Sequence, residues 1–312
     1  MASRSCLLYA FLVLFLLAFE PTSRVKATDI PPPSCRRVVG SSAELIQFGM
    51  NFLLSQAEFF NCAATGEGIN VIAPDLVQGG PVSIGCTRAN LNNVTRAIFA
   101  ELGFLSVGLI RFILQASRLI NPIPVPQIDI STVTLGGFAN AAFGANLRPP
   151  FNIYANTINI LPGSAAFLSL TRQYYIGISP YIVGDELQAV VSSIVSAQSA
   201  AFGVIRTLQY QNENVTMVSY NFNIATYVDR LAQLINRLAM CGDKDEGLKL
   251  QFQFGTTTNI IPFTPNVTAA SRTALELLRV FYGTGNASLP GAIFPQGVNG
   301  RIAEKIVNLK LN

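Results

Sequence analysis

The chain contains no histidine, and that absence removes whole classes of chemistry. Histidine is the usual general base near neutral pH and the commonest metal ligand. Without it there is no Ser-His-Asp or Cys-His relay and no Glu-x-x-His metal pair. Any chemistry has to run on carboxylates, tyrosines, lysines or thiols. Charge is also scarce. Only 12% of residues are charged, against about 25% in an ordinary soluble domain. The 21 basic and 17 acidic residues form no basic cluster, which argues against nucleic acid as a partner. The surface then has to rely on Asn, Gln, Ser, Thr and attached sugars, or on an apolar contact area. Cysteine is sparse too, and no Cys-x-x-Cys pair occurs, so a redox or zinc motif is not expected. Beyond the N-terminus no segment reads as a clean membrane span, because the most apolar one, 99–114, carries Glu101 and Arg111.

What is present points to export. Arg4 precedes an apolar run from Leu7 to Phe19, and Val25-Lys26-Ala27 offers a small-x-small cleavage site. The run is shorter than the roughly 20 residues that cross a bilayer, so residues 1–27 are expected to be a signal peptide. Residues 28–312 then form the mature chain, with no stable membrane anchor. Removing Arg4, Glu20, Arg24 and Lys26 leaves 18 basic and 16 acidic residues. Four Asn-x-Ser/Thr sequons, at Asn93, Asn214, Asn266 and Asn286, suggest a glycoprotein of the extracellular space, cell wall or endomembrane lumen. Once Cys6 leaves with the signal, Cys35, Cys62, Cys86 and Cys241 remain. An even count in an oxidising compartment suggests two disulfides with three possible connectivities. The expected pairing is Cys62–Cys86, closing a local loop, with Cys35–Cys241 as the second bridge.

Apolar periodicity organises the rest as helices. Residues 28–40, with Pro31-Pro32-Pro33, form an extended lead-in. A Ser-x-x-Glu capping box at Ser41–Glu44 then starts a helix that runs to about Cys62. A long loop, 65–90, leads to a second helix predicted over 91–120, with Val94, Ile98, Leu102, Leu105, Leu109, Phe112 and Leu119 on its apolar face. Residues 127–155 read as an irregular crossover. A third helix is predicted over 156–181, interrupted at Pro162-Gly163, and a fourth over 184–211. A fifth, amphipathic helix covers 226–240. Residues 242–312 form a C-terminal extension with a strand-like run at 249–254, a short helix at 269–282 and a Gly-rich tail. Four long helices in two short-looped pairs with one long middle crossover describe an all-α, ferritin-like four-helix bundle with extra C-terminal helices and irregular loops, in one domain.

Several fragments add a resemblance. Gln56-Ala57-Glu58-Phe59-Phe60, Gly79-Gly80-Pro81 with Ile84-Gly85, Arg148-Pro149-Pro150-Phe151 with Tyr154-Ala155-Asn156-Thr157-Ile158-Asn159, Lys244-Asp245-Glu246-Gly247 and the run from Leu278 to Asn286 occur in that order. Together they resemble the plant desiccation-related proteins of the ferritin-like superfamily, across almost the whole mature chain. The resemblance implies a bundle able to hold two metal ions on inward-facing glutamates and Glu-x-x-His pairs. Carried over one position at a time, however, the family glutamates of the first helix align with Leu53 and Gln56, while Glu58 is retained. The pair of the second helix falls on Ser106 and Leu109, that of the fourth on Gln198 and Ala201, and the third-helix position near Tyr174. None of these replacements is a good iron ligand. The fourth helix gives the same answer unaided: Val191, Ile194, Gln198, Ala201 and Ile205 form a core-filling seam.

The reading is therefore a non-catalytic, stress-associated secreted glycoprotein without a di-iron centre, metal or cofactor. Its partners would be an apolar small molecule or a cell-wall component. Two alternatives stand beside it. One is a metal-independent enzyme using Glu58 and Tyr174 as acid and base, which requires a pocket containing both. The other is a carrier of apolar small molecules in the bundle cavity. Asp185 and Glu186 read as helix-dipole partners, Glu101 and Arg111 as surface groups or a salt bridge, and the acids around Lys244 as a solvated loop.

Overall fold

The computed structural model describes residues 33–116, 118–252, 255–264 and 267–309. The expected signal peptide and the Asn266 sequon lie outside the described residues, as does part of the lead-in.

The first helix sets the plan. Ser41 caps it in both directions: its Oγ accepts the Glu44 N–H at 3.2 Å, and the Glu44 carboxylate accepts the Ser41 N–H at 3.0 Å. The helix, α1 (Ser42–Thr65), ends at Gly66, whose φ of 89° a side chain would strain. Every residue from Phe48 to Ala64 is buried. A helix buried all round occupies the centre of a fold rather than its edge.

After a single turn, α2 (Ile69–Ile72), the chain forms α3 (Asn93–Ala116), which packs along α1. The crossover carries a short helix, α4 (Thr132–Phe143), and leads to α5 (Thr157–Ile178) and α6 (Asp185–Gln211), which pack as a second pair. Contacts between α1 and α5 and between α3 and α6 close the bundle. A fifth long element, α7 (Ile224–Ala239), covers α4, α5 and the later α8 (Ala274–Phe281). A hairpin, β1 (Lys249–Phe252) antiparallel to β2 (Gly255–Thr258), lies between them, and α9 (Arg301–Val307) returns to pack on α1. The architecture is the all-α bundle with a long middle crossover that the sequence predicts.

Four details differ. The buried face of α3 is Thr95, Phe99, Leu102, Ser106, Leu109, Ile110 and Ile113, whereas Val94 and Phe112 are exposed and Leu119 lies beyond the helix. Apolar residues occur all round this helix, so their spacing does not fix a phase. What fixes it is a close approach: a Cβ on Gly103 would stand 2.3 Å from Asn61 Oδ1 of α1. Second, α5 is not interrupted; Pro162 lies inside it. It is the sixth residue of the helix, and its missing N–H removes a single i→i−4 bond. Third, the crossover is not wholly irregular. Glycines and β-branched residues give α4 poor intrinsic propensity, and packing against α7 sustains it. Fourth, the Gly-rich tail contains α9. By length and composition, α3 and α6 are also apolar enough to cross a membrane, but in this structure both are bundle helices with partly buried faces.

Both disulfides are present: Cys62–Cys86, 24 residues apart, and Cys35–Cys241, 206 residues apart. Loop-closure entropy assigns the longer bridge about 5 kcal/mol and the shorter about 3.5 kcal/mol. Denaturant unfolding of Cys35→Ser/Cys241→Ser and Cys62→Ser/Cys86→Ser should therefore rank the first pair as the more destabilised. The opposite order would show that the N-terminal clamp contributes less than its loop length implies.

Candidate functional site

The centre of the bundle holds an amide pair. Gln56 of α1 and Gln198 of α6 are both fully buried. Each donates from Nε2 to the other's Oε1, at 3.1 and 3.0 Å, and Gln56 Nε2 also donates to the Phe167 carbonyl at 2.8 Å. Both amide oxygens are thus engaged by the opposite amide, and the pair carries no charge. The other positions aligned with metal ligands are equally inert. Leu53 is buried, Leu109 and Ala201 are core residues, and the Ser106 hydroxyl donates to its own helix at Leu102 O, 2.8 Å away. Aromatic rings fill the remaining space: Phe59 stacks on Phe167 at 4.7 Å and Phe52 on Phe281 at 4.9 Å. Two buried metal ions would require anionic ligands to balance them, and these residues supply none. They do not fit a di-iron group.

Tyr174 packs further along α1, against Phe48 and Phe52, and is not poised for proton transfer. Its hydroxyl donates to Leu45 O at 2.7 Å, and burial holds its phenol well above the ordinary value. Glu58 lies elsewhere. It faces the loop between α1 and α3, where its carboxylate accepts the Ile69 N–H at 2.7 Å and the Ser83 hydroxyl. A Cβ on Gly68 would stand 2.2 Å from it, so the glycine lets the loop backbone close onto the acid. The small cavity beside Glu58, lined also by Asn70, Val77 and Val125, does not reach Tyr174. The acid and the phenol proposed as a catalytic couple therefore do not share a pocket. Among the described residues Glu58 also comes within 4.8 Å of the Cys62 and Cys86 sulfurs, but those sulfurs are joined in a disulfide and are not thiolate ligands.

The remaining polar residues sort by partner. Arg111 pairs with Asp75 on the surface, its Nη2 2.6 Å from Oδ1, and Asp185 and Glu186 open α6. Of the acids around Lys244, Asp243 is exposed as a solvated loop requires, but Asp245 and Glu246 are not. Asp245 accepts from Arg272 at 2.7 Å, Lys244 bonds Glu276 at 2.6 Å, and the side chains of Arg272 and Glu276 are buried. Arg272 was not legible as their partner because it lies 27 residues from Asp245. Of the sequons, Asn93, Asn214 and Asn286 are exposed.

Two antiparallel helix pairs joined by a crossover, with a central layer where related carboxylate proteins bind metal, define a ferritin-type bundle. Residues 41–211 match the ferritin-like domain family, and the chain belongs to that family. It is 34% identical over 268 residues to the ferritin-like catalase Nec2 of Nesocodon mauritianus, covering 85% of each chain. It is 29% identical over 265 residues to the desiccation-related protein PCC13-62 of Craterostigma plantagineum, covering 84% of each. No solved structure matches the chain.

The amide pair makes a specific prediction. Removing one partner leaves a buried amide unsatisfied, which costs about 1–3 kcal/mol, whereas removing both costs less than the sum. Gln56→Leu, Gln198→Leu and the double variant should show a coupling of about 1 kcal/mol or more in denaturant unfolding; strict additivity would mean that the amides do not stabilise one another. The tyrosines make another. Burial raises the phenols of Tyr154, Tyr174, Tyr175 and Tyr227 above their ordinary value of 10, with the charges of Asp129 and Glu58 adding at Tyr154. Below pH 10 the folded and unfolded chains bind these protons equally. Above it the unfolded chain loses them first, so stability falls as pH rises, by about 1.4 kcal/mol per pH unit for each phenol. These tyrosinates should appear in near-ultraviolet absorbance only as helical circular dichroism is lost. Titration of all of them in the folded protein would contradict their burial.

Proposed function

We propose that this protein is a secreted, glycosylated member of the ferritin-like family that works without metal and without catalysis, as a stable extracellular or cell-wall protein linked to stress. The observation that carries this reading is the Gln56–Gln198 pair, which places a neutral, self-satisfied contact at the bundle centre. The signal-like N-terminus, two disulfides and three exposed sequon asparagines support export and glycosylation. The relationship to a desiccation-related protein supports the stress context. The catalase named among its relatives is weighed against this chain's own residues. They contain no histidine and place no carboxylate at the carried-over ligand positions.

A second reading, a carrier of apolar small molecules, draws on a cavity of about 60 Å³ outside the bundle centre. Leu135, Ile153, Phe167, Leu231, Phe281 and Ile293 line it with almost no polar surface. Benzene or indole should then raise the unfolding midpoint, and an unchanged midpoint would set the carrier aside.

Elemental mass spectrometry of natively purified protein, combined with a peroxide-decomposition assay, tests the main proposal. The expected result is iron, manganese and zinc far below one ion per chain and peroxide loss equal to buffer. About two ions per chain, with turnover abolished by chelation, would overturn it.

A further inference from the structure

Two voids share a wall. The inner one is the apolar cavity of about 60 Å³, and the outer one is an open groove of about 210 Å³. The same three segments border both. On α4, Leu135 lines the cavity, and Thr134 and Gly137 line the groove. On α7, Leu231 and Ile235 line the cavity, and Leu234 and Leu238 the groove. Beyond the start of α8, Phe281 and Ile293 line the cavity, and Tyr282 and Ala292 the groove. Among the described residues, Phe138 of α4 alone lines both.

Of the cavity's aromatic rings, Phe138 is the least restrained. Phe167 and Phe281 are buried and stack on neighbouring rings at 4.7 and 4.9 Å, and Tyr227 meets Phe151 edge-on at 5.2 Å. Phe138 is partly exposed and has no ring partner among the described residues. Its Cζ lies 3.6 Å from where a Cβ on Gly283 would stand, and on the groove side a Cβ on Gly137 would meet nothing within 4 Å. Rotamer changes are fastest for side chains that reach solvent.

Volume and charge define what such a site takes. A dry cavity of about 150 Å³ holds benzene, so the inner cavity is too small for a ring while Phe138 closes it. No charged residue lines either void, and a charged ligand would lose its hydration there without gaining a partner.

We propose that cavity and groove form one binding site for a neutral aromatic molecule of one or two rings, with Phe138 as the gate that swings out of the shared wall to admit it. The proposal rests on the carrier reading and adds to it a route of entry and a ligand class. A gated site associates slowly, because only its open fraction accepts ligand, and removing the gate speeds association without any new contact.

The chain has no tryptophan, so indole fluorescence, excited beyond the tyrosine band, follows the ligand alone. Stopped-flow mixing of indole with the protein, and calorimetry with indole and benzoate, provide the test. Indole should bind at least tenfold more tightly than benzoate. Phe138→Ala should speed indole association tenfold or more. Ala141→Leu, which narrows the groove from the exposed side of α4, should slow association severalfold with helical circular dichroism retained. It keeps the test open if the first variant does not fold. Indole binding with association unchanged in the folded variants would overturn the gate and leave the carrier reading standing. Absence of indole binding by both the unsubstituted protein and Phe138→Ala would set aside the gate and the carrier together. Equal affinity for benzoate would overturn the neutral ligand class.

Discussion

Everything in this fold follows from one helix being dry on all sides. Because α1 has no solvent face between Phe48 and Ala64, each polar residue on it has to find its partners inside the protein. Asn51 does so with the backbone of Asn299, at 2.9 and 3.0 Å, and ties the C-terminal segment to the bundle. Gln56 does so with Gln198 and joins α1 to α6. Glu58 does so with Ile69 and Ser83 and holds the loop that leads to α3. Asn51, Gln56 and Glu58 therefore act as fasteners to three different segments, Ser55 and Asn61 donate to the backbone of α1 itself, and the apolar rings between them supply the burial energy.

The absence of histidine has a structural counterpart. A bundle centre without charged groups has to be built from groups that satisfy one another. An amide pair does this because each amide is both donor and acceptor. The layer also becomes insensitive to pH, since no side chain there has an ordinary pKa between 5 and 8. Charge reappears beyond the bundle centre, where Arg172, Arg206 and Arg272 meet Asp245 and Glu276. Part of the chain's sparse charge is thus held in a buried network next to α5.

Much of the architecture was legible because local signals and apolar spacing agreed. The capping box at Ser41 starts α1, which runs to Thr65 rather than Cys62, and the long helices of the second pair fall close to their predicted limits. The uncharged residues at the carried-over positions were legible too, because they are residue identities. The features that remained hidden are those created by contact between distant segments. Gln56 and Gln198 were visible as two glutamines, but their pairing spans 142 residues. The phase of α3 follows Gly103 meeting Asn61; Glu101 and Arg111 lie on its exposed side, but apolar spacing alone carries no record of that contact. The acids near Lys244 looked solvated because their arginine lies on a later segment. Glu58 looked catalytic because it is an acid beside two phenylalanines, whereas its oxygens are occupied by the loop it anchors.

The bridge between Cys35 and Cys241 has a topological meaning as well as an energetic one. It converts most of the bundle, from the lead-in to the end of α7, into a covalent ring, with the 62–86 bridge as a smaller ring inside it. A single backbone cut anywhere in that span opens the ring without releasing a fragment. A single proteolytic nick in the long crossover then leaves both halves covalently joined. Separating the pieces takes a second cut within the ring, reduction after the first, or a cut outside the ring.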